Sequence, residues 1–199
     1  DGVTGVQTCA LPILQRAATA LAVVAGSMLR EITGRVTGSR VVLLVGAGDN
    51  GGDALYAGAR LAARGARVDA LLVADRHHVA GADALRRTGG RVQTAVLGDL
   101  AAAELVARAD LVVDGILGIG GRGALREPAA WLAAVARETD VAVLAVDLPS
   151  GVDADTGAVT DPDAVVHADR TVAFGCLKAG LLLGDGALRT GELAVVDIG

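Results

Sequence analysis

The feature that most constrains this chain is the run Val41-Val42-Leu43-Leu44-Val45, which passes directly into Gly46-Ala47-Gly48-Asp49-Asn50-Gly51-Gly52-Asp53. Five consecutive apolar residues read as a strand buried on both faces, and the glycines read as a tight turn. Leu55, Gly58, Ala59 and Ala62 then recur at helical spacing. Strand, turn and helix start in that order form the front end of a nucleotide-binding α/β unit. Gly46-x-Gly48-x-x-Gly51 fits the dinucleotide fingerprint, a pattern that also serves ordinary close turns. Asp49 and Asp53 do not suit a bare pyrophosphate cradle, because carboxylates repel phosphates.

The rest of the chain repeats this alternation. The patterns predict helices over 14–33, 52–64, 80–88, 99–108 and from the turn at Pro128 to 139. They predict strands over 41–45, 67–74, 91–96, 111–113, 141–146, 170–174 and 193–198. Strands alternating with helices imply layers around a mainly parallel sheet with right-handed crossovers. A chain of 199 residues suits one domain. With Tyr56, Trp131 and Phe174 as its only aromatic residues, the core must be built from Ala, Val and Leu. Residues 1–13 lack the Ala/Arg/Val bias and the periodicity that follow. They resemble a translated sequencing-adapter read and are expected to lie outside the fold, leaving 14–199 as the domain.

Several function classes are excluded by composition. The net charge is −5 with no basic patch, which argues against nucleic acid as a partner. The uncharged stretch Ala17–Leu29 is too short to cross a bilayer. Cys9 and Cys176 form neither a metal-ligand spacing nor a disulfide framework, so a reducing cytoplasm is expected. Lys178 stands alone among 17 arginines. It is therefore the one basic side chain whose ammonium can be tuned.

In open α/β sheets, ligands bind outside the carboxyl ends of the strands. Three strand ends here carry polar groups: Asp49, Asn50 and Asp53 after the first, Asp114 before a glycine-dense loop, and Asp147 with Ser150 close behind. Converging carboxylates raise one another's pKa or require a cation. Oxygen donors of this kind suit a hard cation rather than zinc. Each residue also has a plainer reading. Strand-end aspartates cap helices and form turns, and Asp53 falls where a helix dipole favours it. Asp153 to Asp155 resembles a calcium loop, but Ala164 stands where the bidentate Glu belongs, so a polar turn is expected. His77, His78 and His167 read as surface residues. Ser150 lacks a nucleophile elbow, and no Walker lysine follows the first loop.

Five strings then point to one family: Gly46–Asp53, Val113-Asp114-Gly115-Ile116-Leu117-Gly118, Arg126-Glu127-Pro128, Val146–Ala154 and Phe174-Gly175-x-x-Lys178-x-Gly180-Leu181-Leu182. In order and spacing they resemble the YjeF N-terminal domain, the NAD(P)H-hydrate epimerases, from about Leu14 to Gly199. The resemblance implies a Rossmann-like three-layer α/β/α sandwich that interconverts the R and S forms of NADHX and NADPHX, nicotinamide rings hydrated at C6. It implies a homodimer. It also implies a functional partner, an ADP- or ATP-dependent dehydratase fused in many bacteria to the same chain, so that this sequence would be either a stand-alone epimerase or a fragment of such a bifunctional protein. Asp49, Asn50, Gly51, Gly52 and Asp53, with the loop Gly118, Ile119, Gly120, Gly121, Arg122, Gly123 and Ala124, would contact the substrate. Asn50, Asp114 and Ser150 would bind a potassium ion, and Asp147 would contact the reacting ring. Asp49 departs from the family's commoner Asn.

The C6 hydroxyl of such a hydrate is part of a hemiaminal. Its carbon loses configuration through loss and return of water by way of an iminium, or through ring opening. Either route needs a group that gives and takes a proton at the hydroxyl. Asp147 is expected in that role, with Lys178 supporting it. Two other readings compete. One is an NAD-dependent oxidoreductase using Asp75 for the ribose. The other is a non-catalytic nucleotide- or partner-binding module.

Overall fold

Strands of Val and Leu with no polar face are stable only when both faces are covered by helices, and this packing organises the whole chain. The computed structural model describes residues 4–199, with side chains from residue 13 onward. In chain order the elements are α1 (Thr4–Thr33), β1 (Arg40–Val45), α2 (Asp49–Ala63), β2 (Arg67–Leu72), α3 (Val79–Arg87), β3 (Arg91–Thr94) and α4 (Leu100–Ala107). There follow β4 (Leu111–Gly115), α5 (Ala129–Glu138), β5 (Val143–Val146), β6 (Arg170–Phe174), a short 3-10 turn (Ala179–Leu181), α6 (Gly184–Ala187) and β7 (Glu192–Val196).

The seven strands form one sheet in the order β3-β2-β1-β4-β5-β6-β7, with every pairing parallel. Alternation along β1 divides its side chains between two layers. Val41, Leu43 and Val45 pack toward α1, α2 and α3, with Leu21, Leu29, Leu55 and Leu61. Val42 and Leu44 pack toward α4 and α5, with Val106, Leu132 and Ala136. The expected three-layer Rossmann-like sandwich is therefore present. A third apolar cluster of Leu148, Val152, Val165, Ala173 and Leu181 sits beneath the long β5–β6 connection, which crosses without a helix.

The chain builds outward from β1 to β3 and then returns, so that β4 pairs with the other side of β1. Successive connections leave β1 and β4 in opposite directions, which opens a crevice at their carboxyl ends. Asp114 sits opposite Leu44, and Gly115 opposite Val45, so β4 delivers its acid beside the first glycine turn.

Several strands are shorter or shifted by one to two residues from the sequence patterns, and three further boundaries differ. α2 begins at Asp49 rather than near Gly52. Gly51 and Gly52 are poor helix formers, but packing overrides propensity here. A Cβ at Gly51 would lie 2.4 Å from the Gly46 carbonyl oxygen, and one at Gly52 would lie 3.1 Å from the His78 ring. α1 runs back to Thr4, so residues 4–13, set apart by their composition, continue the same helix. Residues 1–3 of that segment lie outside the described residues. Pro128 precedes α5 instead of occupying its first turn.

Gly46 marks the closest approach of the two central loops. A Cβ there would fall 1.8 Å from the Ile116 carbonyl oxygen, a backbone atom that a rotamer change cannot move aside. Gly46→Ala is expected to destabilise the fold by about 3 kcal/mol, read as a lower denaturant midpoint at unchanged slope.

Candidate active site

The crevice at β1 and β4 is closed on itself by hydrogen bonds. Asp114 is fully buried. Its Oδ1 accepts from Ser150 Oγ at 2.6 Å and from the Ile116 N–H at 3.2 Å, while Oδ2 accepts from the Ser150 N–H at 2.8 Å. The Leu117 N–H donates to Ser150 Oγ at 2.9 Å. From α2, Asn50 Nδ2 donates to the Leu117 carbonyl at 3.0 Å and to the Val146 carbonyl at 2.6 Å. Asn50, Asp114 and Ser150 therefore meet at one point, where the ends of β4 and β5 face the start of α2. Burial pushes the Asp114 carboxyl up to about 6, against the opposing effect of its bonds from Ser150 and Ile116.

Asp147 follows β5 with a left-handed φ of 70°. Such a backbone is costly for a residue other than glycine and persists where surrounding contacts hold it. Its N–H donates to the Val172 carbonyl at 2.8 Å, and its Oδ1 accepts from the Phe174 N–H at 3.0 Å. Lys178 Nζ bonds both Asp147 Oδ1 and, at 2.9 Å, the Phe174 carbonyl. The lysine is mostly enclosed rather than a surface residue, with its side chain 11 % exposed. It is part of the constellation.

Asp53 corrects an expectation. Because α2 begins at Asp49, Asp53 lies past the first helical turn, and it is only 6 % exposed. Its Oδ1 is enclosed without a hydrogen-bond partner among the described residues. Burial, reinforced by the Asp49 and Asp147 carboxylates, pushes the Asp53 carboxyl up to about 7. A helix-dipole role would need neither burial nor an unpartnered oxygen.

Asp49, Asp53 and Phe174 line a cleft of about 680 Å3 together with Ile13, Leu14, Ala17, Tyr56, His78 and Ile198. Its apolar wall and acidic floor give it room and polarity for a flat polar ring. His78 is not the free surface residue expected from sequence. Its Nδ1 accepts from the Gly81 N–H at 3.0 Å, capping α3, and its ring lies edge-on to Tyr56 at 5.4 Å. Sequence did carry a signal for Tyr56, since Asp49, Asp53 and Tyr56 follow i, i+4, i+7 spacing on one face of α2. His167 is also half-buried, with an enclosed and unpartnered Nε2.

Gly118, Gly121 and Gly123 of the glycine loop pack against Leu148–Val152, and Arg122 is exposed beside them. Gly118 has no room for a side chain, because a Cβ would lie 2.8 Å from Asn50 Oδ1. The Asp153 loop is the expected polar turn. Asp153 Oδ1 accepts from the Asp155 N–H, the Thr156 N–H and the Thr156 hydroxyl. Asp75, the ribose acid of an oxidoreductase reading, is exposed in the turn after β2. A separate cleft of about 460 Å3 lies at the amino ends of β1, β2 and β3, away from these acids. Three of its four arginines are already paired, Arg40 with Asp110, Arg91 with Asp69 and Arg108 with Glu104. Among the described residues, no helix is long and apolar enough to cross a membrane.

Comparison with known proteins gives consistent matches. Residues 11–180 match the family described as YjeF-related protein N-terminus. The bifunctional NAD(P)H-hydrate repair enzyme Nnr of Mycobacterium tuberculosis is 44 % identical over 188 residues, covering 94 % of this chain and 37 % of that protein. The chain thus spans little more than a third of that relative. The NAD(P)H-hydrate epimerase of Clavibacter michiganensis subsp. michiganensis is 43 % identical, covering 94 % of this chain and 85 % of that protein. The crystal structure of yeast ynu0 superposes with a TM-score of 0.75 at 19 % identity, covering 93 % of this chain and 77 % of that one, which supports the fold.

The two raised carboxyls have a consequence for stability. Both lie above the ordinary value of 3.8, so their protonated forms favour the fold. Their contribution is fully present below about pH 4 and is lost as pH rises through about 6 and about 7. In potassium-free buffer the melting temperature is expected to fall between pH 5 and 8. Asp53→Asn, a neutral isostere, should flatten that fall and exceed the wild type at pH 8 by on the order of 2–4 kcal/mol.

Proposed function

This chain belongs to the family of YjeF-related protein N-termini, and from that premise we propose that it is an NAD(P)H-hydrate epimerase interconverting the R and S forms of NADHX and NADPHX. The observation that carries this reading is the cleft formed where α2 meets α1, the turn after β2 and the end of β6. Its apolar wall faces Asp49 and Asp53, with the Asp147–Lys178 pair held beside them. The catalogue of relatives supports it, since proteins named for this activity match 94 % of the chain.

The geometry distributes the work as follows. The N–H groups at the start of α2 and the loop from Gly118 to Ala124, including Ile119 and Gly120, face the dinucleotide's phosphates, with exposed Arg122 as a charged contact. The hydrated nicotinamide ring would lie in the cleft against Phe174, Tyr56 and Leu14. Asp147 presents its Oδ2 toward the C6 hydroxyl, since its Oδ1 already serves Phe174 and Lys178. Lys178 holds that carboxylate in place through a second bond to the Phe174 carbonyl.

A potassium ion fits the Asn50–Asp114–Ser150 junction. The donors are all oxygens, and the buried Asp114 has no cationic partner among its hydrogen bonds. Asn50 Oδ1 faces space that any side chain at 118 would fill. Asn50, Asp114 and Ser150 would hold the ion. When bound, it supplies a fixed positive charge that neutralises Asp114 and ties the three loops together. The exposed free thiol of Cys176 is in keeping with a reducing cytoplasm. The S product would pass to an ADP- or ATP-dependent dehydratase, the partner activity that the family resemblance implies.

Two measurements test the reading. R-NADHX incubated with the chain should become a substrate for an S-specific dehydratase, and Asp147→Asn should slow this by about 100-fold or more, judged by kcat/KM. An Asp147→Asn protein with wild-type rates would refute the role of Asp147. Potassium should raise the melting temperature of the wild type more than sodium at equal ionic strength, and Asp114→Asn should abolish the difference.

A further inference from the structure

We propose that Asp53, rather than Asp147, is the group that carries the proton to and from the C6 hydroxyl, and that Asp147 acts as a fixed acceptor that orients it. This assignment rests on the epimerase reading above. It begins with a contrast between two carboxyls near each other in the crevice. Asp147 Oδ1 is engaged by an ammonium and a backbone N–H, which makes that side chain an acceptor held in place. Asp53 has the opposite surroundings. It is more than nine-tenths buried, it lines the cleft, and its Oδ1 has no donor among the described residues.

A buried carboxylate without donors is expensive, whereas a buried carboxylic acid needs only an acceptor for its single proton. No basic side chain offsets the site from α2, where Asp49 adds like charge and Tyr56 is the other titratable neighbour. Among the described side chains, α1 contributes Ile13, Leu14 and Ala17 to the cleft, and the turn after β2 contributes His78. Lys178, the nearest ammonium on the β6 side, is bonded to Asp147 and the Phe174 carbonyl. Asp53 is accordingly the carboxyl suited to hold a proton near neutral pH, as its upward shift also indicates.

The step balances without any cofactor. Protonated Asp53 gives its proton to the C6 hydroxyl, the C6–O bond breaks, and water leaves. The ring-nitrogen lone pair forms the C6=N iminium, and Asp53 is left as carboxylate. A water molecule then adds to the opposite face of C6 as its lone pair forms the new C–O bond, and the released proton returns to Asp53. One water leaves, one water enters, and the configuration at C6 is inverted.

The test compares wild type with Asp53→Asn and Asp53→Glu in the dehydratase-coupled assay on R-NADHX, with NADP+ binding and melting temperature measured in parallel. Asp53→Asn should lose 10²–10⁴-fold in kcat/KM while binding NADP+ and melting at or above the wild-type temperature. Asp53→Glu should recover part of the rate. Wild-type kcat/KM should fall roughly tenfold per pH unit on the alkaline side of neutrality, a limb that Asp53→Asn lacks. If wild type does not epimerise R-NADHX, the functional reading itself fails. If wild type epimerises while Asp53→Asn retains its rate, or if the wild-type profile is flat from pH 6 to 8.5, the assignment of Asp53 is overturned. The wild-type profile decides the matter even if a variant does not fold.

Discussion

A fully buried carboxylate at the end of β4 is the interaction on which the crevice depends. Asp114 binds Ser150 through both its oxygens, and Ser150 in turn accepts from Leu117. Removing either partner would leave a charge or a donor stranded in the interior, which costs far more than the bond itself is worth. One side chain thereby fixes the β4 loop to the β5–β6 connection. Asn50 extends the lock to α2 by bonding both the Leu117 and Val146 carbonyls. The three loops form a single polar network, and such networks stay rigid only when each member is satisfied.

Around that rigid junction the remaining acids are differentiated by their neighbours rather than by their chemistry. Asp147 is tethered by a strained backbone, a backbone donor and the one lysine of the chain. Asp53, a residue of the same kind nearby, has an Oδ1 left without a donor among the described residues and lines a largely apolar cleft. Two carboxyls placed in unlike surroundings can divide the roles of acceptor and proton carrier, the arrangement that acid–base chemistry near neutral pH requires. The glycine turn plays a spatial part here. Gly46 and Gly51 are small because backbone atoms occupy the space beside them, which brings α2 and its acids against the end of β4.

Much of this was legible in the sequence. The apolar run at 41–45, the alternating helices and the acids at three strand ends specify a parallel sheet with a polar crevice, because burial on both faces demands uniform apolarity and ligands gather at carboxyl edges. The five motif strings named the family, and the Asn50–Asp114–Ser150 convergence follows from their places at adjacent strand ends. Boundaries were less legible. α2 starts three residues earlier than its apolar period indicates, since contacts from Gly46 and His78 outweigh the low helix propensity of Gly51 and Gly52.

What the tertiary structure alone decided is the environment of each acid. Sequence cannot distinguish Asp53 from a helix-dipole residue, because that difference lies in what surrounds its carboxyl: α1, His78 and Phe174 come from remote parts of the chain. Sequence offered Lys178 as a support for Asp147, but the bond between them, across 31 residues, exists only because β6 pairs with β5 and brings Phe174 under the carboxylate. Residue type and local period determine which groups reach the crevice. Desolvation and hydrogen-bond partners, set only by packing, determine which of them holds a charge and which can hold a proton.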